Sequence, residues 1–247
     1  MSSSTSPKRV AIIGGGILGV STAVHLLRDG ASVVLLTERG LASEATGRSL
    51  SWLNSAGERS APYHQLRVAG VDRYRTLFAS DPGRDWLKFD GGLMWNAAGQ
   101  RAATESRHGY EKSVGYDSRL LAPEDIAAAT PGVDPVSVPE NTIFNPGEGW
   151  VSLPDLVDHL MEEFHARGGD LVLNAGKVSV TVADGRAAGV ETASGEAYGA
   201  DAVLVACGAA TPAVVGPLGV DIPNGSPVSM LVLTKPVDHG LRAVLNT

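Results

Sequence analysis

The chain has 247 residues, 43% apolar and 19% charged, a balance that bounds it to one or two domains and excludes a disordered or collagen-like polypeptide. Its net charge is −7, from 20 Lys and Arg against 27 Asp and Glu, and no basic run is long enough to make a nucleic-acid patch. The single cysteine, Cys207, forbids an internal disulfide or a zinc cluster and fits a reducing cytoplasm, the expected location.

Residues 1–8 read as a polar, flexible tail. The apolar stretch from Val10 to Val24 follows Lys8 and Arg9 as a signal segment would. Glycines interrupt it, however, and His25 and Arg28 close it short of the roughly 20 residues that span a bilayer, so no integral membrane segment is expected. Arg9–Ile13 reads as a short buried strand ended by Gly14-Gly15-Gly16. A helix follows, with Gly16, Val20, Ala23, Val24 and Leu27 on one stripe and Gly30 at the position of a C-terminal cap. Ser32–Leu36 is the next buried strand, so strand, helix and strand fit one βαβ unit.

Residues 40–59 are rich in Ser, Gly and Ala and read as a long functional loop with at most a helical turn. A helix over 62–78 is expected to carry Tyr63, Leu66, Gly70, Tyr74 and Leu77 on one face. Trp86–Asp90 and Leu93–Trp95 read as two short strands around the turn Gly91-Gly92, opening a more antiparallel region, and residues 97–120 as surface. A short helix over 123–129 precedes the clearest helix of the chain, Leu153–Arg167, with the apolar stripe Leu153, Leu156, Val157, Leu160, Met161 and Phe164. A strand at 171–173 is followed by a meander over 178–182, 187–192 and 196–200, separated by Asp184-Gly185 and Ser194-Gly195 turns. Residues 201–206 are apolar enough to return to a buried parallel sheet, and 228–234 read as one more strand.

The chemistry is carried first by Gly14-x-Gly16-x-x-Gly19, placed between a strand and a helix. The first glycine permits the tight turn, the second lets backbone approach a pyrophosphate, and the third lets helix and strand pack closely. The helix N-terminus offers free N–H groups to phosphate oxygens. Glu38 ends the second strand, where a carboxylate can hold ribose hydroxyls and repel a 2′-phosphate. This fingerprint serves FAD and NAD alike. Other residues admit plainer readings: Val178 as a meander core residue, Cys207 as a small apolar filler, His159 and His165 as solvent-facing, Trp52 as core. His64, after the loop, is a candidate to approach an active site.

Several segments in this order resemble the FAD-dependent amine and amino-acid oxidases related to D-amino acid oxidase, glycine oxidase and sarcosine oxidase. They are Val10–Gly19, Glu38-Arg39, Thr46-Gly47-Arg48-Ser49, Gly147–Pro154, Asp201–Ala209 and Leu218-Gly219, with Pro223 and Pro227 beyond. The resemblance implies an α/β fold: a glutathione-reductase-like FAD-binding Rossmann domain with an incomplete mixed or antiparallel-sheet substrate domain. The expected division is residues 9–80 and 148–212 for the first, 81–147 and 213–247 for the second. It further implies that Gly14, Gly16 and Gly19 form the nucleotide turn, that Ile17 and Leu18 meet the pyrophosphate through backbone, and that Glu38 holds the adenosine ribose with Arg39 beside it. Ser43, Thr46, Gly47 and Arg48 would line the pyrophosphate and ribityl end, Val178 would meet adenine through its main chain, and Gly208 would close the pattern.

The implied activity removes a hydride from the carbon next to an amine nitrogen and delivers it to flavin N5, the imine then hydrolysing in water. The substrate would be a small amine or amino acid; catalytic side chains remain unassigned and no metal is expected. Relatives of this kind continue well past the position of Thr247 and there supply a tyrosine and an arginine for a substrate carboxylate, for which Arg242 is not suitably placed. The expectation is therefore a fragment, or a chain completed by a partner chain, that alone folds poorly or binds flavin weakly. Two other readings stay in view: a non-catalytic FAD-binding subunit and an NAD-dependent dehydrogenase.

Overall fold

A computed structural model describes residues 7–223, 225, 230–235 and 238–247. In chain order the first elements are β1 (Arg9–Ile13), α1 (Ile17–Arg28), β2 (Ser32–Leu36), β3 (Trp52–Leu53), α2 (Ala61–Ser80), β4 (Leu87–Lys88) and β5 (Gly92–Met94). Then come α3 (Arg101–Ser113), β6 (Arg119–Leu121), α4 (Ile126–Ala129), β7 (Thr142–Asn145), β8 (Gly149–Val151) and α5 (Leu153–Ala166). The remainder is β9 (Asp170–Val172), β10 (Ser179–Ala183), β11 (Arg186–Glu191), β12 (Ala197–Gly199), β13 (Ala202–Val205), α6 (Thr211–Val215) and β14 (Val244–Asn246).

The chain divides into two compact units, one of Met1–Ser49 with Leu153–Leu231, the other of Leu50–Ser152 with Val232–Thr247. The sequence boundaries differ from these: α2 clusters with the second unit rather than the first, and residues 213–231 with the first rather than the second.

In the first unit, β13-β1-β2-β9 form a parallel sheet, every neighbouring pair running the same way. Successive side chains of β1 leave on opposite faces, and both faces are covered, which is why the strand reads as an unbroken apolar run. Val10 and Ile12, with Val33 and Leu35 of β2, pack against Val20, Val24 and Leu27 of α1 and Val157, Met161 and Phe164 of α5. Ala11, Ile13 and Leu36 face the other way, onto Val178 and Val190 of the meander. That meander, β10-β11-β12, is antiparallel throughout. Gly30, at φ +83°, ends α1 with the Ala31 N–H bonded to the Leu26 carbonyl, a left-handed cap that a side chain would resist.

The second unit contains two small sheets, β14-β5-β7-β6 and β3-β8-β4. β4 and β5 are not partners across the Gly91-Gly92 turn: β4 pairs with β8, while β5 lies between β7 and β14. Of the face expected on α2, Tyr63 and Leu66 are exposed, and the helix buries Val71 instead. Residues 101–113 form a helix, not featureless surface, and it buries Thr104 and Glu111. The apolar pattern misses this helix because what it buries is polar. Of the strand expected over 228–234, Val228 and Ser229 lie outside the described residues, and Met230–Thr234 form no strand. The tail expected over residues 1–8 lies outside them up to residue 6, as does Pro227.

Candidate functional site

The carboxyl ends of β1, β2 and β13 meet at the Gly14–Gly16 turn, the place where open parallel sheets bind ligands. Gly14 has φ +122°, and a Cβ there would lie 2.3 Å from the Ala206 carbonyl oxygen. A Cβ on Gly19 would lie 1.9 Å from the Gly14 carbonyl oxygen. Both contacts are with backbone, so neither position can yield to a side chain without moving the turn. Gly16 is the N-cap of α1 and has no side chain to satisfy the first N–H groups. The hydroxyl of Thr46 does this instead, accepting the Ile17 N–H at 3.0 Å. The first turn of α1 also contains no acid, so its positive dipole end is not neutralised within the helix.

Residues 37–48 fold over this turn. The Ala42 N–H donates to the Gly15 carbonyl at 3.0 Å, Ser43 is exposed, and Ala45–Arg48 make one 3-10 turn in which Thr46 is buried and Arg48 exposed. Gly47 is required by closeness, since its Cβ would sit 2.3 Å from the Ala42 carbonyl oxygen. Glu38 leaves the end of β2 exposed to solvent, and its carbonyl accepts the Gly176 N–H at 3.3 Å. That link, with Ala175 N–H to the Thr37 carbonyl at 3.0 Å, ties the approach to Val178 onto the end of β2. The Val178 side chain itself is buried among Ala11, Ile13 and Leu36, the core role open to it from sequence. Gly208, at φ +56°, follows β13, and the Cys207 thiol donates to the Ile13 carbonyl at 3.2 Å. Burial pushes that thiol's pKa up, opposite to what a reactive cysteine needs.

The first unit thus gathers Gly14, Gly16, Ile17, Leu18, Gly19, Thr46 and Gly47 around the N-terminus of α1. The two expected cationic residues of this loop share one acidic partner. Arg39 and Arg48 are both paired with Glu44, an acid that no sequence fingerprint marks.

A second polar cluster lies wholly within the second unit. Glu148 is fully buried; its carboxylate accepts the Trp52 indole N–H at 2.8 Å and the Tyr116 hydroxyl at 2.7 Å. Tyr116 in turn accepts the Ser55 N–H at 2.9 Å. Gly92 makes room, because a Cβ there would lie 2.2 Å from Glu148 Oε2. Glu111, 1% exposed, accepts from Asn145, from the Gly57 N–H and from Arg107. Of the two buried acids, Glu111 is ion-paired with Arg107 at 3.1 Å, while Glu148 is held by Trp52 and Tyr116. Loss of hydration pushes the Glu148 carboxyl up to about 7, helped by the Glu111 charge and resisted by its two hydrogen bonds. For Glu111 the same desolvation is outweighed by its hydrogen bonds, and its pKa is held below the ordinary value. His64 is bonded through Nδ1 to the Ser55 hydroxyl at 2.8 Å and, with Val71, Arg75 and Tyr116, lines a cavity of about 240 Å³. Nothing in composition or spacing could have singled out Glu148, although it lies in a segment that carried the resemblance.

Strand, glycine turn, helix and terminal carboxylate define a dinucleotide-binding protein with a Rossmann-type sheet. The chain belongs to the FAD dependent oxidoreductase family, which it matches over residues 9–245. The cofactor of that family is FAD. Among curated relatives, it is 28% identical over 229 residues to the uncharacterized oxidoreductase YurR of Bacillus subtilis, covering 86% of this chain and 58% of that one. It is also 28% identical to L-2-hydroxyglutarate dehydrogenase of Escherichia coli, over 85% of this chain and 50% of the relative. Glycine oxidase from Bacillus cereus ATCC 14579 superimposes with a TM-score of 0.74 at 21% identity, over 85% of this chain and 58% of that one, a likeness of fold. The chain spans little more than half the length of these proteins. Among the described residues no helix is long and apolar enough to cross a membrane.

The turn fits a dinucleotide. Its glycines leave backbone open to a pyrophosphate, α1 presents its positive end, and Glu38 stands at the carboxyl end of β2, where a ribose is held in such folds.

Proposed function

We propose that the protein of which this chain forms all or part is an FAD-dependent oxidoreductase that oxidises a C–N bond of a small amino acid or secondary amine. The reading rests on one observation above all, the backbone-tight Gly14–Gly19 turn at the N-terminus of α1 with Thr46 laid across it. In it, Ile17 and Leu18 hold the diphosphate through their N–H groups and Glu38 takes the adenosine ribose. Ser43, Thr46, Gly47 and Arg48 border the diphosphate and ribityl chain, with Arg39 beside Glu38, and Val178 and Gly208 add main-chain contacts. FAD, when bound, supplies the redox chemistry by accepting a hydride from the carbon next to the nitrogen, while the chain binds and orients it. On this reading the groups that select the substrate come from outside this chain, which spans little more than half the length of its relatives.

A second reading has a specific support: L-2-hydroxyglutarate dehydrogenase, as its name states, acts on a hydroxy acid. The same flavin site would then serve C–O oxidation. The test is the visible absorption spectrum of the purified chain and of its completed form, titrated with FAD and then, without oxygen, with small amines, amino acids and 2-hydroxy acids. Bleaching by amines supports the proposal, and bleaching by hydroxy acids alone supports the second reading. A chain that binds NAD and no flavin refutes both.

A further inference from the structure

Glu44 is the one acid paired with either cation of the nucleotide loop. Its carboxylate bonds Arg39 Nη2 through one oxygen and Arg48 Nη1 at 3.3 Å through the other, and among the described residues neither arginine has another acidic partner. The loop carrying it is pinned on both flanks: Ala42 to the Gly15 carbonyl on one side, Thr46 to the Ile17 N–H on the other. Glu44 therefore sits between two residues that touch the glycine turn. It brings to this region the negative charge that the first turn of α1 lacks.

On the reading that this turn holds the FAD diphosphate, we propose that Glu44 is a built-in counter-anion of the cofactor site, holding Arg39 and Arg48 until the diphosphate takes its place. The chemistry matches: a carboxylate and a phosphate compete for the same guanidinium fork. The exchange is also inexpensive. The side chains of Glu44, Arg39 and Arg48 are 57%, 62% and 65% exposed, so water and salt screen the pairs and little holds them together. Glu44 would then keep the loop compact without cofactor and lower cofactor affinity by competing for its cations. No bond is made or broken; one anion replaces another.

The test measures FAD affinity of the full chain by quenching of flavin fluorescence, with Glu44→Gln, Arg39→Gln/Arg48→Gln and the triple variant. Glu44→Gln is expected to bind FAD about three- to tenfold more tightly at low ionic strength, the range two exposed ion pairs can supply. The gain should shrink at about 0.5 M salt, where charges are screened within a few ångströms. It should vanish in the background lacking both arginines, which a merely structural role of Glu44 would not require. Equal or weaker binding by Glu44→Gln overturns the inference and makes Glu44 an orienting residue. A wild-type chain that binds no FAD overturns the cofactor reading along with it, whereas binding without a gain overturns the role of Glu44 alone.

Discussion

Tyr116 donates its hydroxyl proton to Glu148 across 2.7 Å inside the second unit, where that carboxylate is fully buried. Burial also holds the Tyr116 phenol far above its ordinary pKa, with the Glu148 charge adding to the effect, so the tyrosine stays a donor at every physiological pH.

This pair sets a pH dependence of stability. A carboxyl that is raised to about 7 in the folded chain, from 4.5, keeps its proton after the unfolded chain has lost it. Stability from this group is therefore full below pH 4.5 and is lost as pH rises to about 7. The loss is roughly 3 kcal/mol at about 1.4 kcal/mol per unit. Glu111, held low, works in the opposite sense and loses its contribution as pH falls. Melting curves of wild type and Glu148→Gln between pH 5 and 8 check this. The difference between them should change steadily toward the variant as pH rises, and a constant difference rules the mechanism out.

Gly19→Ala places a methyl carbon within 1.9 Å of the Gly14 carbonyl oxygen. The helix must withdraw from the turn, at a cost of about 1–3 kcal/mol or more. Calorimetry should show that loss, and FAD titration a fall in affinity of at least tenfold by the same displacement. A variant with wild-type melting and wild-type affinity would show that the approach is not needed.

Thr46→Ala removes the hydroxyl that accepts the Ile17 N–H. The orphaned donor at the start of α1 should cost about 1 kcal/mol in the cofactor-free chain, while Thr46→Ser keeps most of it. Denaturant midpoints of the two variants discriminate, and equal midpoints would place the effect in methyl packing instead.

Glu38→Gln keeps the size of the side chain and removes its charge. If Glu38 holds ribose hydroxyls, FAD affinity should fall about tenfold, since a charged acceptor is worth about 1.5 kcal/mol more than a neutral one. Affinity for FAD unchanged in this variant would move the ribose elsewhere.

Sequence by itself determined the first unit closely. β1 and β2 begin and end where the apolar runs do, and α1 buries Val20, Ala23, Val24 and Leu27 of its expected stripe. The α5 stripe buries Leu156, Val157, Met161 and Phe164. Period and glycine spacing suffice there because strand, turn and helix are local, and both faces of the sheet demand apolar side chains. Tertiary structure alone decided the second unit. Its short strands pair across large distances in sequence, as Trp52 with Trp150 and Leu93 with Phe144, and no local pattern encodes such partners. It also decided which polar residues matter. Glu44 and Glu148 are ordinary acids in the sequence. One becomes the partner of two arginines because a loop folds back over a helix end, the other a buried hub because Gly92 leaves it room. Long-range packing sets burial and charge pairing, and those quantities do not exist until the chain is folded.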